Sequence, residues 1–110
     1  MDDSDTVGAG LACNLGAIAP AQRDAHAALA AELFQHAAQE TIELPDGYAF
    51  RFGEERYADL ARFIENERRC CPFFSFTLEV APGQAPIWLR ICGPAGAKEL
   101  LHTTLPGSYE

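Results

Sequence analysis

At residues 67–74 the sequence reads Glu-Arg-Arg-Cys-Cys-Pro-Phe-Phe, and a helical pattern gives way there to a strand pattern. The proline that follows the two cysteines prevents the helix from continuing. The helix before it has an apolar stripe formed by Tyr57, Leu60, Ala61 and Ile64. Continuing that stripe at helical spacing leads to Glu67 and then to Cys71. The sequence therefore predicts a corner where two thiols and a carboxylate meet at the end of one helix.

The composition is that of one small folded domain. The chain has 110 residues, of which 48% are hydrophobic, enough for one core and too few for two. No apolar run approaches the roughly 20 residues needed to cross a bilayer, so no membrane association is expected. Residues 1–10 are acidic and rich in small side chains. We predict a disordered tail over residues 1–10 and a single α+β domain over residues 11–110.

Charge and cysteine content suggest where the protein works. No basic residue precedes Arg23, unlike the start of a secretory signal, and we expect a cytoplasmic protein. The net charge of −8 repels phosphate backbones, so nucleic acid is not an expected partner. Cysteines of cytoplasmic proteins are usually thiols, and we expect thiols for all four here. Cys70 and Cys71 are also too close along the chain to bond each other easily.

A long first helix is predicted over residues 20–39. Pro20 suits the first helical position, and the helix has an apolar stripe formed by Ala25, Leu29, Leu33, Phe34 and Ala37. His26 and His36 flank the stripe, ten residues apart and too distant to share a ligand. Both are expected to be partly solvated, with Glu32 as an ordinary partner for His36.

Three segments alternate apolar and polar residues, as half-buried strands do. They are residues 48–52, 74–80 and 87–91, and a last helix is predicted over 93–104. The resulting order is α-β-α-β-β-α, which predicts an α+β domain with a three-stranded, mostly antiparallel sheet and helices packed on one face. The first strand is expected beside the third. The other face carries Trp88, and a homodimer through that face is a possible arrangement.

The cysteines suggest a site for a soft metal ion. Thiolates are the ligands that Hg(II), As(III), Cu(I) and Zn(II) prefer. Cys70 and Cys71 need a third donor, and Cys13 is the first candidate, because its loop leads into one core helix and can lie over the end of another. Cys92 is less favoured, because strand alternation places it on the Trp88 face. The paired C-x₂-C spacing of structural zinc sites is absent from the sequence.

Each of these residues also has an ordinary structural interpretation. Cysteine is often a small buried hydrophobe. Glu67 has nearby arginines for an ion pair, namely Arg62, Arg68 and Arg69. The same residues are therefore consistent with a thiol site and with ordinary packing in the core.

The segment from Glu67 to Phe76, with Leu44–Tyr48 upstream and Trp88–Pro94 downstream, resembles a group of small uncharacterised bacterial proteins. Their shared signature is Glu-Arg-x-Cys-Cys-Pro-Phe, usually with one cysteine ahead of the first helix. The resemblance covers roughly Cys13 to Leu101 and implies an association with heavy-metal resistance, above all to mercury or arsenic. Cys13, Cys70 and Cys71 match the cysteines of that group, whereas Cys92 does not.

Three kinds of function follow from these observations. The first is a binding protein that captures a soft metal or metalloid with Cys13, Cys70 and Cys71, for resistance, buffering or delivery. The second is a small thiol-dependent enzyme, with a cysteine nucleophile and Glu67 as its acid. The third is an interaction module in which the cysteines are structural and the Trp88 face binds a partner. Binding is favoured over catalysis.

Overall fold

The computed structural model describes residues 13–104, which contain three α-helices and four β-strands. The helices are α1 (Pro20–Ala31), α2 (Tyr57–Cys70) and α3 (Ala97–Thr104). The strands are β1 (Glu40–Leu44), β2 (Gly47–Phe52), β3 (Ser75–Val80) and β4 (Ile87–Cys92). Short 3₁₀ turns precede α1 and α2, at Leu15–Ala17 and Glu54–Arg56. The predicted α+β class is confirmed, and the tail predicted over residues 1–10 lies outside the described residues.

The sheet has four antiparallel strands in the order β1-β2-β4-β3, one more strand than predicted. The predicted pairing of the first strand with the third is confirmed, because β2 pairs with β4 along its whole length. The strand that the prediction missed is β1. It forms a hairpin with β2 in which Leu44 pairs with Gly47 across Pro45-Asp46. The element order is therefore α-β-β-α-β-β-α.

Gly47 is required where this hairpin meets the next strand. A Cβ atom at this position would overlap the backbone of Ile91 and Cys92 on β4. Because glycine alone lacks that atom, it lets β2 approach β4 closely at this end of the sheet. The hairpin turn and the end of β4 are consequently held together, with the Gly93 amide donating to the carbonyl oxygen of Asp46.

One face of the sheet carries the core. Alternate residues of β4 are buried and the residues between them are half-buried, and β2 adds Phe50 and Phe52 to the same buried face. The core cluster joins them to the helices through Ile18, Leu33, Phe34, Phe50, Phe52, Leu60, Phe63, Ile87, Leu89, Ile91, Ala97 and Leu101. Phe34 is central, because its ring contacts Phe50, Phe52 and Phe63 edge-on at centroid distances of 4.9, 5.8 and 5.1 Å. The helices therefore cover one face, as predicted. Trp88 lies half-buried on the other.

The first helix does not continue as a regular α-helix to residue 39. A π-helical turn follows at Glu32–Ala37, and it places two consecutive residues, Leu33 and Phe34, in the core. None of the helices within residues 13–104 is long and apolar enough to cross a membrane.

The buried face of α2 is rotated relative to the predicted stripe. It consists of Leu60, Phe63, Asn66, Glu67 and Cys70. Tyr57, the first residue of the predicted stripe, is 52% exposed. Because Tyr57 begins the helix and extends beyond the core, phasing the stripe from it was wrong by about one residue. The inward placement of Glu67 is confirmed.

Candidate functional site

Three cysteines converge where α2 ends. Cys70 is the last helical residue, and the Cys71 amide still donates to the carbonyl oxygen of Glu67 at 2.7 Å. Cys71 itself has left the helical conformation, with φ −127° and ψ 78°, as is favoured for a residue before proline. Cys13 reaches the same place because the amide of Asn14 donates to the carbonyl oxygen of Cys70 at 2.7 Å. The Sγ atoms of Cys13, Cys70 and Cys71 all lie within 4.8 Å of one another. We call these three residues the sulfur cluster.

Within the sulfur cluster, Cys13 and Cys71 form a disulfide, with Cα atoms 4.6 Å apart. The expectation that all four cysteines are thiols is therefore wrong for this pair. The expectation rested on the compartment in which thiols usually persist, and it took no account of where the first loop folds. Cys70 and Cys92 are free thiols.

The three sulfurs differ in access. Cys71 is 1% exposed and Cys70 is 7% exposed, whereas Cys13 is half-buried. A molecule arriving from solvent therefore meets Cys13 first. In thiol–disulfide exchange the sulfur that is attacked is chosen partly by access, so an incoming thiolate is expected to bond Cys13 and release Cys71.

The Cys70 thiol is protected from ionisation. Burial raises its pKa, and the negative charge of Glu67, one turn earlier on the same helix, raises it further. A backbone hydrogen bond from Asn14 acts in the opposite direction and is the smallest of the three influences. Cys70 is thus a neutral thiol at physiological pH unless a metal displaces its proton.

Glu67 forms a buried pair with His26 of α1. Oε1 of Glu67 lies 2.8 Å from Nε2 of His26, and the two residues are 5% and 6% exposed. The imidazole also stacks on Phe63, with ring centroids 5.5 Å apart and planes 16° apart. Two predictions are corrected here. His26 is not partly solvated, and the partner of Glu67 is this histidine instead of Arg62, Arg68 or Arg69.

The other predicted residues lie apart from the cluster. His36 is exposed, and Glu32 pairs with Arg56 at 3.1 Å instead of with His36. Cys92 ends β4 and is half-buried, on the same face as Trp88, as strand alternation predicts. Burial and a hydrogen bond with the Asp46 side chain raise the pKa of the Cys92 thiol.

Sequence reasoning missed His26, although Glu67 was placed correctly. The apolar stripe of α2 revealed that Glu67 faces inward, and a buried carboxylate needs a charged or hydrogen-bonding partner. That rule calls for a partner on a neighbouring helix. It does not say which one, because the packing of α1 against α2 sets the choice.

Comparison of the chain with protein-family models, with curated proteins and with solved structures gave no match. The function is therefore inferred from the geometry and chemistry of the sulfur cluster and its neighbours.

Proposed function

We propose that the protein binds one soft metal ion or metalloid with the thiolates of Cys13, Cys70 and Cys71, in the state where the Cys13–Cys71 disulfide is reduced. The observation that carries the proposal is the approach of three sulfurs to within 4.8 Å of one another. Metal–sulfur bonds of about 2.3 Å place two sulfurs on one ion at most about 4.6 Å apart. Small side-chain movements would bring the cluster into that range.

The donor set indicates the kind of ion. The three donors of the cluster are all sulfur atoms, and both Cys70 and Cys71 belong to the core cluster. Three thiolates without a nitrogen or oxygen donor suit soft, polarisable ions such as Hg(II), As(III), Cu(I) and Zn(II). The resemblance to small bacterial proteins with the Glu-Arg-x-Cys-Cys-Pro-Phe signature implies an association with heavy-metal resistance, above all to mercury or arsenic, and both ions are of this kind. We therefore propose that binding of such an ion serves resistance, buffering or delivery.

The disulfide adds a condition to this proposal. Two of the three donors are bonded to each other, so they bind no ion until the bond opens. A dithiol reductant supplies the two electrons and two protons. Its sulfurs become a disulfide while Cys13 and Cys71 become thiols. Because Cys13 is more exposed than Cys71, we expect the reductant to attack the sulfur of Cys13.

Native mass spectrometry of the reduced protein tests the proposal. We expect one added Hg(II), As(III), Cu(I) or Zn(II), and loss of that adduct in Cys13→Ser, Cys70→Ser and Cys71→Ser. Cys92→Ser is the matched control and should keep it, because Cys92 lies outside the sulfur cluster. The oxidised protein should bind no ion until a reductant is added. Retention of the ion by a Cys70→Ser/Cys71→Ser double variant would refute the proposal.

A structural role is the second candidate, and the disulfide itself favours it. The bond ties the segment before α1 to the end of α2, across 58 residues of sequence. In this case the reduced protein binds none of the four ions, and the value of the cysteines is stability alone. The same mass-spectrometry experiment therefore separates the two candidates.

A further inference from the structure

A cavity lies between α1 and α2, beside the buried His26–Glu67 pair. Its volume is about 590 Å³, and its lining includes Gln22, Ala25, His26, Leu29, Arg62 and Arg69. That volume is in the range of small-molecule sites, about 300–1,000 Å³. We infer that this cavity binds a small organic molecule with two carboxylates, held at its ends by Arg62 and Arg69 and between them by His26. The inference does not depend on metal binding.

His26 provides the first observation. It is 6% exposed, its Nε2 is engaged by Glu67, and it lines the cavity. Its Nδ1 atom is buried and has no hydrogen-bond partner among the described residues. A buried polar atom without a partner is uncommon and calls for one. A ligand carboxylate at Nδ1 would give this atom the partner that it lacks, while Glu67 holds Nε2 on the other side of the ring.

The two arginines provide the second observation. Arg62 lies 3.4 Å from Asp59, and Arg69 lies 3.7 Å from Glu65 and donates a long hydrogen bond of 3.4 Å to Oδ1 of Asn66. Such exposed, loosely held pairs contribute little energy, so each guanidinium can turn into the cavity. A guanidinium has five donors in a planar fork that matches a carboxylate. Arg62 and Arg69 thus offer two carboxylate sites on one helix.

Their spacing selects the ligand. Seven residues of α-helix separate them by about 10 Å along the axis. The side chains of Ala25 and Leu29 also line the cavity, and they suit a hydrocarbon linker between two acid groups. A compact phosphate fits less well, because it cannot span the distance of about 10 Å between the two arginine positions.

The test uses the full, oxidised protein, so that the sulfur cluster is unchanged throughout. The imidazole nitrogens are labelled with ¹⁵N and followed by NMR during titration with suberate, succinate and inorganic phosphate; a His26→Gln spectrum assigns the His26 signals. We expect a saturable shift of those signals with suberate, at a dissociation constant of about 1 mM or below. Succinate, whose carboxylates are closer together, should bind more weakly, and phosphate more weakly still.

Charge-removing variants make the test specific. Arg62→Gln/Arg69→Gln should weaken suberate binding by at least about tenfold. Both side chains are more than half exposed, at 61% and 53%, so the fold should persist. Arg68→Gln/Arg90→Gln removes the same charge outside the cavity and should leave binding unchanged. The inference is overturned if suberate produces no saturable shift, if succinate or phosphate binds as well as suberate, or if the control pair weakens binding equally.

Discussion

Cys70 and Cys92 are both free thiols beside a carboxylate, and burial raises the pKa of both. The two thiols differ in the side chains that surround them. Cys70 has two further sulfurs within 4.8 Å, and its acidic neighbour Glu67 is held in the core by His26. Cys92 lies at a strand end beside Asp46 and outside the sulfur cluster. A thiol next to an acid is therefore a common local arrangement. The Cys70 region is a candidate site because the loop with Cys13, helix α1 with His26 and the end of α2 meet there.

The largest expected difference between the two regions is in stability. Cys13→Ser in the oxidised protein removes a cross-link that closes 58 residues of sequence. The chain-entropy model gives a loss of about 4 kcal/mol in the free energy of unfolding for a loop of this size. Urea denaturation measures the loss. Cys92→Ser is the control and should change the free energy by no more than about 0.5 kcal/mol. Equal losses would show that the disulfide does not form in solution.

The buried pair beneath the sulfur cluster gives the next largest effect. Glu67→Ala leaves His26 without its partner in the core, and we expect a loss of about 3 kcal/mol in the free energy of unfolding. Glu65→Ala is the matched change on the exposed side of the same helix, where the side chain is 64% exposed, and should cost no more than about 0.5 kcal/mol. Thermal and urea denaturation check both values. Similar costs for the two variants would contradict the buried placement of Glu67.

A comparable contrast involves the region near Cys92. Glu43 and Lys98 form an ion pair there, with the Glu43 side chain 69% exposed. The Lys98 ammonium lowers the pKa of that carboxyl, chiefly through their hydrogen bond. Because exposed pairs are screened by solvent, Glu43→Gln should leave the denaturation midpoint unchanged within error. A large decrease in the midpoint would mean that this exposed ion pair contributes as much to stability as the buried His26–Glu67 pair.

The smallest effects concern thiol reactivity. Glu67→Gln removes the negative charge that helps to raise the pKa of Cys70, so alkylation of Cys70 should begin at a lower pH. Asp46→Asn should lower the pKa of Cys92 for the corresponding reason. Iodoacetamide labelling across pH, read by mass spectrometry, follows each thiol separately. Each substitution should shift its own thiol and leave the other unchanged. A shift of both thiols in one variant would point to a global change in the fold.

Much of the α2–β3 corner could be predicted from local rules. The proline after Cys71 ends the helix, and the spacing of the apolar residues turns Glu67 inward. The strands at residues 48–52 and 87–91 and their pairing also followed from alternation and topology. The helix end, the inward carboxylate and the strands depend on residues that are near one another in sequence, and the pairing of the two strands depends on a general rule of sheet topology.

The features that were missed depend on contacts between distant segments or on weak patterns. The cross-link between Cys13 and Cys71 and the pairing of His26 with Glu67 both require knowing how α1 and its preceding loop lie against α2. Strand β1 is short and mostly exposed, so its sequence shows little alternation of apolar and polar residues. The sequence Pro45-Asp46-Gly47 has the residues of a tight turn, and a hairpin signal of this kind calls for a strand on each side.

The position of the disulfide has a mechanical consequence. It bridges the segment between Cys13 and Cys71, whose sequence separation is 58 and which contains α1, β1, β2 and α2. A force applied to the two ends of the chain bypasses this segment while the bond is intact, so only the remaining residues can be pulled straight. Breaking the bond would release about 200 Å of additional contour length, at about 3.5 Å per residue. In a single-molecule pulling experiment, the redox state would appear directly as the length of the unfolded chain.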